Sequence, residues 1–270
     1  MLMVLSLLQG GFMRFDKFLQ PEDLKTALEI LKNDSNSVIL GGTTFLRISD
    51  KKYSTGIDLS NLGFNFIKET KDYIEIGAYT SLRTIETNST INKYFGNLIT
   101  KSLENLIGIQ FRNSATIGGA IFGRLGFTEI NTALLVLDCE LEFEENGIVS
   151  FSDFISNWNI KRDILKKIII KKQKGKSSYK MLRNSSADFA ILSVAVSNYN
   201  GIKIAVGTRP TIAKLSVKAA QFINSDNNKI DEAANMIADE LKFGKDLRAE
   251  GKYRKMIAPI LVKRALQEVL

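Results

Sequence analysis

An α+β fold is predicted for this 270-residue chain by three observations. Segments with helical spacing of apolar residues alternate with short β-branched runs. Asn146-Gly147, a strong hairpin signal, stands between two such runs. Only three prolines and no low-complexity tract leave no flexible linker, so the one large or two to three small domains that this length suits are expected to pack tightly.

Residues 1–12 (MLMVLSLLQGGF) have no basic n-region and no small-residue cleavage pattern, and are too short to span a bilayer. Gln9-Gly10-Gly11 can be encoded by a purine-rich sequence of the ribosome-binding type lying just before Met13. Met13 is therefore the expected start, and 1–12 a translated leader or disordered extension.

From Met13 the pattern is regular. A short strand at 15–18 precedes a helix opened by Pro21, with Leu24, Ala27, Leu28 and Leu31 on one face. The strand 38–40 runs into Gly41-Gly42, a βαβ-like unit with its glycines at a strand end, where open α/β sheets place ligands. An alternating strand at 73–78 leads to Thr80, the expected N-cap of a helix through Ile85. A single helix is expected at 91–106, another at 132–137, and strands at 140–144 and 148–151 around the hairpin turn. Strands at 163–172 and 178–182, a helix-to-strand run at 189–199 and its hairpin partner at 201–207 follow. Helices at 212–223, 230–241 and 248–270 complete the chain, the basic residues of the last read as a solvated face.

Composition removes several function classes. With no histidine there is no His-based triad, no His-containing zinc site and no imidazole catalysis. Cys139, the one cysteine, permits neither an intrachain disulfide nor an iron–sulfur cluster held by this chain alone, and is expected as a small buried hydrophobe in a reducing, cytoplasmic compartment. The net charge of +8 is spread along the chain. Its dense part (Lys166, Lys167, Lys171, Lys172, Lys174, Lys176 and Lys180) flanks Ile168-Ile169-Ile170 as charge does around a strand, without the aromatic interleaving that single-stranded nucleic acid requires. Neither nucleic acid nor membrane is an expected partner, and no residue set for a metal is read.

The organising stretch is IGIQFRNSATIGG, residues 107–119, with an echo in Gly41-Gly42-Thr43-Thr44. Glycine pairs allow φ > 0 and close approach of backbone to ligand. Successive bare N–H groups in such turns form anion-binding concavities. Two of them, each beside a threonine, suit a diphosphate bridge. Neither is a Rossmann fingerprint or a P-loop.

Five segments together carry a resemblance: MRFDKFLQPEDLKTALEIL at the start, ILGGTTFLR, IEIGAYTSLRTIE, RNSATIGG, and DLRAEGKYRKMIAPILVKRAL at the end. In this order and spacing they resemble the FAD-binding subunits of molybdenum-containing hydroxylases, the xanthine dehydrogenase, carbon monoxide dehydrogenase and nicotinate hydroxylase group. The resemblance covers Met13 to the C-terminus. It implies a two-part FAD-binding domain of the vanillyl-alcohol-oxidase (PCMH) type at 13–165, with subdomains of about 13–62 and 63–165, and a C-terminal flavoprotein domain at 166–270 with a three-stranded antiparallel sheet and helices.

It also implies that FAD is held by Leu40, Gly41, Gly42, Thr43, Thr44 and Phe45 of the first turn and by Thr116, Ile117, Gly118 and Gly119 of the second. Leu106 falls near the flavin, Asp188 matches the aspartate of the C-terminal-domain motif, and Ile191 its flavin-side residue. Arg112 and Asn113 are expected to hold loop geometry.

The chain departs from the family after the second glycine pair. Where the family has Asn, then Ala-Ser-Pro and a ribose-binding Asp, it has Ala120, then Arg124-Leu125-Gly126 and Glu129. A divergent subgroup linked to purine hydroxylases or selenium-dependent systems of anaerobes also lacks Ala-Ser-Pro. Glu129 is expected to accept hydroxyl hydrogen bonds, and Arg124 either to add charge near the diphosphate or to lie in solvent.

The implied function is electron transfer. Electrons from a molybdopterin-binding partner subunit cross a [2Fe-2S] partner subunit to FAD on this chain, and then pass to NAD(P) or another acceptor. No side chain is read as acid, base or nucleophile. The alternatives are a nucleotide- or anion-binding module that has lost FAD and a stand-alone flavin oxidase of the same superfamily.

Overall fold

In a computed structural model, the structure describes residues 13–157 and 162–270. The expectation for residues 1–12 lies outside the described residues. The first unit holds β1 (Arg14–Leu19), α1 (Leu24–Asn33), β2 (Ser37–Ile39) and β3 (Lys52–Ile57). Its parallel sheet has the order β1–β3–β2, with Phe15 opposite Tyr53 and Val38 opposite Gly56. Asp23 caps α1 by accepting the Thr26 N–H at 2.8 Å. The expected apolar face, Ala27, Leu28 and Leu31, packs on Ile57, Leu59 and Ile164.

The second unit runs β4 (Ile67–Glu69), β5 (Tyr73–Gly77), α2 (Leu82–Glu86), α3 (Ser89–Phe95), α4 (Leu98–Leu103), α5 (Ile109–Ser114), α6 (Ile117–Phe122), α7 (Glu129–Leu135), β6 (Cys139–Phe143), β7 (Ile148–Ser150), α8 (Phe151–Ser156) and β8 (Leu165–Lys171). Its antiparallel sheet has the order β4–β5–β8–β6–β7, so β8 is the middle strand. That corrects the boundary placed at 165/166: β8 belongs to the second unit, because Ile168 and Ile170 bury against Ile76 and Ile74 in its core. Each such side chain contributes about 1.5–3 kcal/mol by leaving water.

Three local expectations also change. Ser81, not Thr80, caps α2, because the Thr80 hydroxyl is bound to the Phe66 backbone. The single helix expected at 91–106 breaks at Gly96 and Asn97, whose φ values of 56° and 63° reverse the chain. The helix expected from 132 starts at Glu129. The lysines of β8 are paired rather than solvated, because the strand is central: Lys166 pairs with Glu142 at 2.9 Å and Lys167 with Glu75 at 3.0 Å.

The third unit holds β9 (Lys176–Leu182), β10 (Leu192–Asn198), β11 (Ile202–Gly207), the two-residue β12 (Lys214–Leu215), α9 (Val217–Ser225), α10 (Ile230–Glu240) and α11 (Gly251–Val269). The expected three antiparallel strands are present, with β12 added at the β11 edge. Leu192, Val194, Val196, Ile204 and Val206 face the three helices, while Tyr179, Ala195 and Ala205 face the other way and join the core of the second unit. This shared core is what docks the C-terminal domain.

The terminal helix is not solvated along its whole basic face. Arg254 is fully buried, donating to the carbonyls of Ile191 (2.8 Å), Gly244 (2.9 Å) and Ala249 (2.6 Å) and to Asp246 Oδ1 (2.6 Å). Partial burial works against the Asp246 charge, but Arg254 and the Arg248 and Ala249 N–H groups hold its carboxyl down at about 2. A carboxylate depressed in the fold stabilises it above the unfolded pKa and loses that contribution as pH falls toward the folded one. Asp246→Asn is therefore expected to remove ~1 kcal/mol of stability near neutral pH, after allowance for screening, and to flatten the loss between pH ~4 and ~2. Urea melts at several pH values check this; parallel curves for the two proteins would refute it.

Candidate functional site

Between the first two units and the C-terminal domain lies a cleft of ≈ 400 Å³, joined by a smaller cavity of ≈ 180 Å³. The two share Val38, Ile39, Gly41, Thr116, Gly119 and Phe122, so they meet at the two glycine pairs.

The first pair is a true reversed turn. Gly42 has φ 65° and Thr43 φ 52°. A β-branched residue in the left-handed region costs about 1–2 kcal/mol, and such strain concentrates at functional sites. The turn is fixed from below: Leu40 donates to Ile57 O at 2.8 Å and its carbonyl accepts the Tyr79 hydroxyl at 2.8 Å. Gly42 lies against the Ser114 carbonyl, which an added Cβ would approach to 2.0 Å. From Gly41 to Phe45, five successive amides donate to no group of the chain among the described residues. Consecutive N–H groups left over beside a concavity form an anion nest.

The second pair differs from expectation. Gly118 and Gly119 are not in a positive-φ turn but in the first turn of α6. The Ile117 amide donates to Thr80 O at 3.0 Å, that of Gly118 to Ala78 O at 2.8 Å, and that of Gly119 to the capping Thr116 hydroxyl at 3.2 Å. These glycines serve close packing: a Cβ on Gly118 would lie 2.7 Å from Ala78 O, and one on Gly119 3.0 Å from Gly41 O. Thr116 and Gly119 reach both cavities, Gly118 the smaller one, and Ile117 is core.

Thr43, Thr44, Phe45 and Leu106 line the cleft, and the buried Arg112 holds the Leu106 carbonyl at 3.0 Å while pairing with Glu86 at 2.6 Å. Asp188 and Ile191 do not line it. Asp188 caps its neighbour's amide, Phe189 N–H, at 2.7 Å, and Ile191 is buried with its carbonyl on Arg254.

Glu129 reaches the wall but is fully buried, with Oε1 accepting the Ala190 N–H at 2.9 Å and Oε2 paired with Arg183. Burial pushes its carboxyl up to about 7, against the charge-stabilising Arg183 and Ala190 N–H. Arg124 turns its guanidinium onto the Phe154 ring, 3.9 Å from the centroid, and donates to Asn157 O at 2.9 Å.

The sequence reading missed the aromatic wall. Phe45 has ring neighbours Phe127 at 5.0 Å, Phe111 at 5.9 Å and Phe189 at 6.1 Å, and Phe127 lies 4.8 Å from Phe189. A signal existed, since Phe45 was itself singled out and Phe111, Phe127 and Phe189 sit within two residues of Arg112, Glu129 and Asp188. An anion nest opening onto an apolar, aromatic-walled cleft suits a ligand with a diphosphate and a flat conjugated ring. Among the described residues no His/Cys/Asp/Glu group is placed to hold a metal, and no helix is long and apolar enough to cross a membrane.

A nest beside an aromatic-walled cleft defines a nucleotide-binding class of protein. Residues 13–171 match the family described as the FAD binding domain in molybdopterin dehydrogenase, and residues 177–269 match the CO dehydrogenase flavoprotein C-terminal domain. The chain belongs to this family; it is an FAD-binding oxidoreductase subunit of the molybdenum-hydroxylase type, and its cofactor is FAD.

Solved structures with the same fold include quinoline 2-oxidoreductase from Pseudomonas putida 86 (19% identity, TM-score 0.84, 96% of this chain and 97% of that one). They also include carbon monoxide dehydrogenase from Hydrogenophaga pseudoflava (20%, 0.85, 95% and 97%) and reconstituted CO dehydrogenase from Oligotropha carboxidovorans (18%, 0.84, 94% and 97%). No curated protein matches the sequence significantly.

Proposed function

We propose that this chain is the electron-exit subunit of a xanthine- or purine-dehydrogenase-like assembly. It receives electrons from a [2Fe-2S] partner subunit, itself reduced by a molybdopterin-binding partner, and hands them to NAD(P) or another acceptor. The observation that carries the reading is the run of five uncommitted amides, Gly41 to Phe45, at the edge of an aromatic-walled cleft. Bound FAD would supply the chemistry, exchanging electrons singly on one side and in pairs on the other.

The chain's own residues do the rest. The Gly41–Phe45 amides bind the diphosphate, with Thr43, Thr44 and Thr116 offering hydroxyls beside them. Leu106, Phe111, Phe127 and Phe189 exclude water from the ring. Glu129, the one carboxylate on the wall among the described residues, is engaged by Arg183 and Ala190. The acceptor is identified by which oxidant re-oxidises the reduced protein.

The test is a visible spectrum of the purified chain, repeated after adding FAD and desalting, followed by co-purification from its native host. Flavin absorbance at close to one FAD per chain, with iron–sulfur and molybdopterin subunits in the co-purified complex, is the expected outcome. A chain that carries FAD but purifies alone, and reduces an acceptor directly with an organic substrate, would replace the relay by a stand-alone oxidase.

A further inference from the structure

Glu129 occupies the position expected to meet the cofactor, yet its bonds run elsewhere. It stands at the first residue of α7, in the FAD-binding domain, and both of its carboxylate oxygens engage the C-terminal domain. Oε1 accepts the Ala190 N–H at 2.9 Å, and Oε2 pairs with Arg183, whose side chain is only 8% exposed.

Arg183 in turn donates Nη1 to the Asp188 carbonyl and lies against Met181 Sδ at 3.0–3.2 Å. The segment 188–191 is therefore held at successive points: Asp188 by Arg183, Ala190 by Glu129, and Ile191 by Arg254 at 2.8 Å. Phe189 is the residue between these anchors, and Arg248 lies over its ring at 5.2 Å from the centroid. So held, Phe189 packs on Phe127 and Phe45 in the aromatic wall.

We propose that Glu129 and Arg183 form a cross-domain latch that positions Phe189 as the C-terminal wall of the flavin cleft. The inference rests on the FAD reading above. Glu129 is then a positioning residue acting through Phe189, and the longer stem of glutamate over aspartate is what lets the carboxylate reach Arg183 and Ala190. A carboxylate with both oxygens already accepting strong donors has little left to offer a ribose hydroxyl.

The test uses the full chain with and without FAD, in the variants Glu129→Gln, Phe189→Ala and the double variant. Two quantities are read: the FAD dissociation constant, from quenching of flavin fluorescence, and the access of iodide to the bound flavin. Glu129→Gln keeps an acceptor for Ala190 N–H but loses the charge opposite Arg183, so a folded protein is expected.

About fivefold weaker FAD and greater iodide access are expected for Glu129→Gln, and about tenfold weaker for Phe189→Ala, with thermal unfolding of the flavin-free proteins confirming that they fold. Because both act through one wall, the double variant should bind no worse than Phe189→Ala. Additive losses would overturn the latch in favour of direct contact between Glu129 and the cofactor, and wild-type affinity in Glu129→Gln would overturn it outright. A wild-type chain that binds no FAD would instead overturn the parent reading.

Discussion

Gly42→Ala is expected to yield a chain that purifies without flavin and does not take it up, with a stability loss of roughly 3 kcal/mol or more. Two costs add. Alanine at φ 65° is strained, and its Cβ would stand 2.0 Å from the Ser114 carbonyl oxygen, a contact that backbone movement alone can relieve. That movement would separate the Gly41–Phe45 amides from α6, since Gly41 and Gly119 already touch at the limit of glycine packing, with 3.0 Å between the Gly41 oxygen and a Cβ built on Gly119. Gly63→Ala is the control: it too has positive φ (76°) but nothing within 4 Å of the added carbon, so it should cost only the backbone strain and bind FAD as wild type does. Spectra and urea melts of both variants check this. Equal FAD occupancy in Gly42→Ala and Gly63→Ala would refute the assignment of the first turn.

Arg254→Met should destabilise the protein by about 3–5 kcal/mol, although methionine keeps the unbranched apolar stem. The guanidinium serves Asp246 and three carbonyls at once; its loss strips the Ile191 and Gly244 carbonyls of their donor and removes the cation that faces Asp246. Lysine cannot replace the planar fork, so Arg254→Lys should recover only part of the loss. One of the abandoned acceptors is Ile191 O, so FAD should also bind more weakly in whatever folded fraction remains. Denaturant melts followed by circular dichroism measure the first effect and flavin titration the second. A loss below about 1 kcal/mol would show the buried arginine to be dispensable.

Local chemistry made part of this molecule legible in its sequence, and distance hid the rest. The reversal at the first turn could be read because a Gly-Gly pair at the end of a strand readily takes positive φ. Gly118-Gly119 read the same way yet lies in a helix, since sequence alone does not separate a glycine needed for positive φ from one needed for close packing. The strand Lys52–Ile57 escaped notice because KYSTGI lacks an apolar alternation and is held by two parallel neighbours.

Arg254 was read as solvated because the acceptors that bury it include loop carbonyls, which no side-chain pattern announces. The Glu129–Arg183 pair joins residues 54 positions apart, so neither partner implied the other. Fold and cofactor nonetheless came through, because five motifs in fixed order encode the long-range arrangement that periodicity does not.

The place of β8 in the second sheet has a consequence for how the chain is made. Tyr73 pairs with Lys171 and Cys139 with Ile170, so the strands flanking the middle of the sheet are synthesised long before the strand that joins them. Until then a nascent chain carries two half-sheets with apolar inner edges, the kind of surface that recruits foreign strands. Closure across about 100 residues is also a slow, high-contact-order step. Fragments ending before Lys171 should accordingly aggregate during translation, and a split between co-expressed halves should succeed only in the short stretch between Lys171 and Lys176.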